Sequence, residues 1–393
     1  MPSVLRFVAA LGWVVLAVAY IARSSFVAAY ADKDLARAER VWPDHPAVLS
    51  AQAMLEVAQA AARGQALPSS TRLLAARVAR AEPLAPEPFV ILGAEAQRNG
   101  NRMASEQLLL NARQRDPRAP AARFLLAEQY ITQGRLREGV SEAAALARLV
   151  PGSIEPLAQG FAGYLKAAGV PEGMAELLKS NPGLSQQLLA DLSTDPANAD
   201  LLIELASQEQ RTAGPAPAWQ ANLITKLVEA GDYPKARQVW ARLGGRASDP
   251  SETIHDPRFE GSSAPPPFNW TFAAQGAVIE PQSGGLHILY FGRDDATLAG
   301  QMLVLRPGRY RLKMKVSGQM TDPQAVRWRI SCMPGKASLL DVPVPARALD
   351  LVFSVPAQGC GAQQLALVGQ AADAGGSSDF LISDLSLLDA GAS

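Results

Sequence analysis

The sequence predicts a multidomain α + β chain with three parts: an N-terminal membrane anchor helix, an α-solenoid of helix pairs and a C-terminal antiparallel β-sandwich. Three observations predict it. An uncharged apolar run extends from Phe7 to Ala22. Pro83, Pro117 and Pro151 close apolar helical patterns at intervals of 34 residues, a period that belongs to stacked repeats. Beyond about residue 248 the helix formers give way to short alternating segments that read as strands. The parts are expected at 1–30, 31–247 and 248–393.

Composition narrows the function. The 393 residues carry 37 basic and 37 acidic side chains, a formal net charge of zero. No global field favours nucleic acid, and no basic block is interleaved with aromatics. His45, His255 and His287 are far apart in sequence, which argues against a His-rich metal site or a catalytic triad.

The apolar run is bracketed by Arg6 and Arg23. Counting Val4 and Leu5, with Arg6 reaching back to the headgroups, gives 19 residues, close to the ~20 that cross a bilayer. An uncleaved signal anchor is the favoured reading. A cleaved signal peptide competes, because Ala17-Val18-Ala19 and Ala29-Tyr30-Ala31 have the small-x-small form. The first of these would cut inside the run, and the second lies far from its end. A buried soluble helix is the third reading. Arg23, Lys33, Arg37 and Arg40 come after the run, and a simple positive-inside count would keep the bulk of the chain in the cytoplasm. Long domains, however, translocate largely regardless of charge. A single pair of cysteines, Cys332 and Cys360, also suits an oxidising compartment. The expectation is a single-pass protein of a bacterial inner membrane with its bulk in the periplasm, and a Cys332–Cys360 disulfide.

From Ala31 to Leu243 the chain is rich in Ala, Leu, Arg, Glu and Gln, punctuated by Gly, Pro and Asn-Asp turns. Gly93 and Ala127, Ser105 and Gly139, and Tyr130 and Tyr164 are each 34 residues apart. Small residues in fixed register let paired helices approach closely. This segment resembles a run of tetratricopeptide repeats. Phe89, Leu92 and Gly93, then Ser105, Ala112 and Pro117, match one unit. Leu126, Ala127, Tyr130, Gly139 and Pro151 match the next, with Leu146 where Ala is usual. Gly231, Asp232, Tyr233, Ala236 and Trp240 match a later fragment. The pattern decays between Ser153 and Gln210, and the loop Gly64–Ser70 stretches the first unit. The resemblance implies a superhelix of helix pairs whose groove docks a protein partner; a rigid spacer is the rival.

Residues 244–252, GGRASDPSE, read as a linker. In GRYRLKMKVSG, Tyr310, Leu312, Met314 and Val316 share one face, and Arg309, Arg311, Lys313 and Lys315 the other, the pattern of a half-buried antiparallel strand. Val326, Trp328, Ile330 and Cys332 alternate in the same way, which places Trp328 in the core. The segments DPRFEG, PPFNW, QMLVLRPGRYRLKMKVSG, with Pro307, Gly308 and Tyr310, and FLISDLSLL resemble jelly-roll carbohydrate-binding modules. The resemblance implies a structural calcium held by Glu260 and Asp384, and no other cofactor. It also implies sugar stacking on exposed aromatics, with Trp270 and Tyr290 the best candidates and Phe291 behind them. The competing reading puts Trp270 and Tyr290 in the core. Asp294 and Asp295 are adjacent acids on a loop, and no catalytic pair of acids emerges.

The expected function is a non-enzymatic, membrane-anchored scaffold for synthesis or export of a cell-surface polysaccharide. A glycan-acting enzyme and a cytoplasm-facing assembly factor with a protein-docking sandwich are the alternatives.

Overall fold

The computed structural model describes residues 2–150, 152–206, 217–243, 253–261, 264–273, 275–371 and 376–391. Pro151 and the expected linker 244–252 lie outside them. The chain divides into two compact units, residues 1–167 with 180–187, and residues 168–179 with 188–393. The expected boundary at 247/248 is therefore not where the units part, because the later helices belong with the strands.

The first unit is helical: α1 (Pro2–Tyr30), α2 (Leu35–Val41), α3 (Pro46–Ala62), α4 (Ser69–Ala81), α5 (Glu87–Arg98), α6 (Arg102–Arg115), α7 (Pro120–Thr132), α8 (Leu136–Leu149) and α9 (Ile154–Ala168). The helices α3 with α4, α5 with α6 and α7 with α8 form packed pairs. Pro83 and Pro117 end their pairs through the residue before them, which proline forces out of the helical region. Glu82, Asp116 and Val150 are the C-caps of α4, α6 and α8, with φ of −133°, −132° and −131°. The amide of each still donates to the residue four back, Val78, Ala112 or Leu146. Each carbonyl then accepts from the residue three ahead, Ala85, Ala119 or Ser153. One turn is thus repeated at the sequence period.

The small residues act where helices meet. A Cβ on Gly93 would lie 2.8 Å from Leu109 of the paired helix, too close for van der Waals contact. Ser105 and Ala112 are buried beside it, and Leu109, Leu126 and Tyr130 form the next layer. The turns rely on Gly100 and Gly134, at φ of 76° and 74°, where only glycine avoids strain. Asn101 caps α6 by accepting from the Ala104 amide at 3.2 Å.

The second unit holds α10 (Met174–Lys179), α12 (Ala199–Ala206), α13 (Ala218–Glu229), α14 (Tyr233–Leu243) and ten strands; α11 (Pro182–Leu192) is shared between the units. The strands are β1 (Thr271–Phe272), β2 (Ala277–Gln282), β3 (Gly285–Tyr290), β4 (Ala296–Leu303), β5 (Gly308–Met320), β6 (Val326–Pro334), β7 (Ser338–Pro343), β8 (Ala348–Val355), β9 (Cys360–Gly369) and β10 (Ser378–Asp389). They form two antiparallel five-stranded sheets, ordered β1-β4-β9-β6-β7 and β2-β3-β10-β5-β8, a jelly-roll sandwich. The alternation in β5 and β6 comes out as read: Tyr310, Leu312, Met314 and Val316, and Val326, Trp328 and Ile330, all face the core. Cys332 and Cys360 form a disulfide that ties β6 to the start of β9.

The sandwich also packs on α14. Trp240, fully buried, donates from Nε1 to the Pro265 carbonyl at 2.7 Å and meets the rings of His255 and Phe268 edge-on at 4.7 and 5.9 Å. Gly361 of β9 leaves room for the Tyr233 ring, which would stand 3.0 Å from a Cβ there.

Candidate binding surfaces

In the helical unit, Met54 and Val57 of α3, Val90 of α5, and Ala121, Phe124 and Leu125 of α7 line an open groove of about 390 Å³. Apart from Ser153 its lining is apolar. The groove exists because α3, α5 and α7, the first members of successive pairs, turn apolar side chains to a common side, while Ala112, Ala119 and Ala122 are buried together with Val90. Small alanines there keep the helices near and leave the larger side chains at the mouth. A second, mixed groove lies between α2, α3 and α4, where exposed Leu55 and Leu73 adjoin Glu56, Arg77 and Arg80. The Glu56 carboxylate is held there by the hydroxyls of Ser70 and Thr71.

Polar ties fix the pairs under the first groove. Glu142 of α8 is buried and receives both Arg113 of α6 and Arg123 of α7, the latter at 2.7 Å. Glu106 receives Arg135 at 2.8 Å and the Tyr130 hydroxyl at 3.2 Å. Burial, then the Glu106 charge and the hydrogen bond to it, push the Tyr130 hydroxyl up to about 12. Sequence reasoning named Tyr130 for packing alone; Glu106 and Glu142 gave no signal, since isolated acids on a helix read as solvated.

In the sandwich the expected sugar-binding residues need correction. Trp270 is 7% exposed, donates from Nε1 to the Asp256 carbonyl at 3.0 Å and packs on Phe259. Tyr290 is 0% exposed and its hydroxyl donates to the Asp294 carbonyl at 2.8 Å. Burial, followed by the charges of Asp295 and Asp294, raises its pKa above the usual tyrosine value. Both rings close the core and neither presents a face to a sugar. The aromatic side chains the sandwich exposes, among the described residues, are Phe272 at 38% and Phe291 at 39%. Phe291 is the residue after β3, and its amide donates to Gly276 just before β2. Phe272 lies in the two-residue edge strand β1, across from Ala299. The sequence passed over Phe272, and alternation could not have found it, since it would place Phe272 on the same inward side as Trp270 two residues before. Asp295 organises this rim by accepting from the Ala371 amide at 2.8 Å.

The expected calcium pair also needs correction. Glu260 is exposed and its nearest charged partner is Arg258 at 3.9 Å. Asp384 sits in a β-bulge between Ser383 and Ser386, at φ 54°, and pairs with Lys315 at 2.8 Å. Two carboxylates that each face a cation do not make the six to eight oxygens calcium takes, and the described residues contain no cluster of three His, Cys, Asp or Glu able to hold a metal. The opening turn is held instead by Asp256, whose two oxygens accept from the amides of Glu260 and Gly261, each at 2.9 Å.

The outer face of β5 carries Arg309, Arg311, Lys313 and Lys315. Asp350 of β8 receives Arg311 at 2.6 Å and Lys313 at 3.6 Å. The Arg311 hydrogen bond holds the Asp350 carboxyl below its usual range, so much of this ladder is neutralised within the sheet.

No family model matches the sequence, and no curated protein matches it. Among solved structures, the chain is similar to a family-4 carbohydrate-binding module, at 14% identity over 35% of this chain and 99% of that one, TM-score 0.29. It is similar to promiscuous carbohydrate-binding modules of the β-sandwich superfamily, at 16% identity over 36% and 62%, TM-score 0.25. It is similar as well to the flexible tandem repeat domain of a bacterial cellulose synthase component, at 18% identity over 51% and 85%, TM-score 0.20. With identities this low and scores under 0.5, the architecture rests on the helices and strands described above.

Proposed function

We propose that the protein is a non-enzymatic, membrane-anchored scaffold whose helical groove docks a protein partner in the synthesis or export of a cell-surface polysaccharide. The observation that carries this reading is the apolar groove at Phe124 and Leu125: an open apolar surface rimmed by rigid helix pairs suits a partner's amphipathic segment. The exposed length of α1, with Trp13, Leu16 and Ile21 all facing outward, supports an anchor. The disulfide supports a periplasmic position, since such bonds persist in oxidising compartments. The jelly-roll fold agrees with the sequence resemblance to carbohydrate-binding modules and favours glycan as the substance handled. Phe272 and Phe291 are then the rings that would touch it.

The test is a photo-crosslinking residue placed at Leu125 in the full chain in cells, with a control at exposed Arg98 of α5. A discrete adduct from position 125 that the control lacks, and that Phe124→Glu abolishes, is expected. Equal adducts at both positions, or none at 125, would leave the solenoid as a spacer.

A further inference from the structure

The helix α1 is longer than a bilayer needs. Its 29 residues extend about 43 Å at 1.5 Å per residue, against a hydrocarbon core of ~30 Å. The 19 residues from Val4 to Ala22 account for about 28 Å. Beyond Ala22 the helix is folded against the rest of the helical unit. Val27 is buried with Ala31, Ala38 and Val48, and Ser24 meets His45 at 3.3 Å.

The changeover falls at one cluster. Arg23 donates from Nη2 and Nε to the Val41 carbonyl, at 2.6 and 3.0 Å, at the C-terminus of α2. Its guanidinium lies 4.5 Å from the centre of the Trp42 ring. Tyr20 and His45 each meet that ring edge-on, at 5.5 and 5.0 Å. The cation is thus satisfied by a helix-end carbonyl, where the dipole is negative, and by an indole face. Such a pairing lets an arginine sit where water becomes scarce. Tyrosine and tryptophan rings prefer the same zone, with an apolar body and a polar tip.

The geometry points to Tyr20, Arg23 and Trp42 as a membrane-interface collar, with Trp42 and the turn from Pro43 to His45 lying at the lipid headgroups. This rests on α1 being an anchor. The occupant of the surface is the bilayer itself, because the cluster is continuous with the exposed apolar flank of α1 that ends at Ile21. The consequence is a rigid joint: the anchor runs without a break into the first solenoid layer, and cleavage after Ala31 would strip Val27 and its neighbours from that layer, whereas cleavage after Ala19 would leave them in place.

The test uses the full chain in phosphatidylcholine vesicles containing lipids brominated either near the headgroup or deep in the chain. Wild type is compared with Trp42→Phe and with Trp13→Phe, so that the difference in emission isolates each indole. The expected result is that the Trp42 contribution is lost to shallow bromine more than to deep, and that of Trp13 to deep. A Trp42 contribution untouched by either lipid, with Trp13 still quenched, overturns the collar and assigns that face to a second copy or another protein. Loss of quenching at both positions overturns the anchor as well. Should Trp42→Phe misfold, Asp44→Cys with a fluorescent label gives the same reading, since both native cysteines are in the disulfide. Headgroup-located quenchers are expected to dim it, and an undimmed label overturns the proposal.

Discussion

A buried acid held by two arginines ties three helices of the solenoid at the residue scale. Glu142 joins α6, α7 and α8 through Arg113 and Arg123. Removing it leaves two guanidinium groups facing each other without the charge that satisfied them, a loss of about 3 kcal/mol for a buried pair. Glu142→Ala should therefore lower the urea midpoint of the full chain well beyond the effect of an exposed control such as Glu138→Ala; equal shifts would show that the pair is screened. Tyr130 supplies a pH signature. In the unfolded chain tyrosine ionises near 10, but here burial and Glu106 push it up to about 12. The folded state thus keeps its proton longer, and the stability that Tyr130 contributes is complete below about pH 10 and lost as pH rises through the folded value. That loss should reach roughly 2 kcal/mol. Thermal melts between pH 8 and 12 should show it in wild type, while Tyr130→Phe starts about 1 kcal/mol lower for want of the hydrogen bond and declines less steeply. Neither residue's role was legible in the sequence, because a charge on a helix looks alike whether it faces water or a neighbouring pair. The same limit left Trp270 and Tyr290 open between a sugar face and the core: a ring's identity does not state which face of a strand it is on.

At the scale of elements the sequence was far more legible, for a physical reason. Proline and glycine act on their own backbone or that of a neighbour, so the turns after Glu82, Asp116 and Val150 and those at Gly100 and Gly134 could be placed from composition. Strand alternation has a period of two, and β5 and β6 kept it. Which strands pair could not be read, since register depends on contacts far apart in sequence. The disulfide crosses that gap. Cys332 and Cys360 are 28 residues apart, and closing a loop of that length removes about 3–4 kcal/mol worth of freedom from the unfolded chain. Because Pro334 is paired with Cys360 in the β6–β9 ladder, the bond also fixes the start of β9. The double variant Cys332→Ala with Cys360→Ala should unfold at lower urea by that amount, and reductant should shift wild type but not the variant. A variant as stable as wild type would mean the ladder alone sets the register.

The division into two compact units gives the whole molecule an arrangement that its composition concealed. A change from helix formers to alternating strands near residue 248 suggested that a domain ended there, yet α13 and α14 are built into the same unit as the sandwich. The reason lies in shape. The helices carry Tyr233 against Gly361 and Trp240 among His255, Phe268 and the Pro265 carbonyl, and Arg237 covers both the Trp240 and Phe268 rings, at 4.4 and 5.6 Å from their centres. Without the helices, apolar rings on the sandwich would meet water. Burial of a tryptophan side chain that is lost on truncation to alanine costs about 3–5 kcal/mol. Residues 188–393 expressed alone should then melt in one cooperative transition. Residues 253–393 should melt at a lower temperature and associate through the uncovered face. Trp240→Ala in the longer fragment should move its melting temperature most of the way toward that of the shorter one. If both fragments melt together and the substitution has no effect, the sandwich is an autonomous domain and the helices merely lie beside it; a gap that the single tryptophan closes would make α14 the keystone through which the helices and the sandwich act as one rigid body.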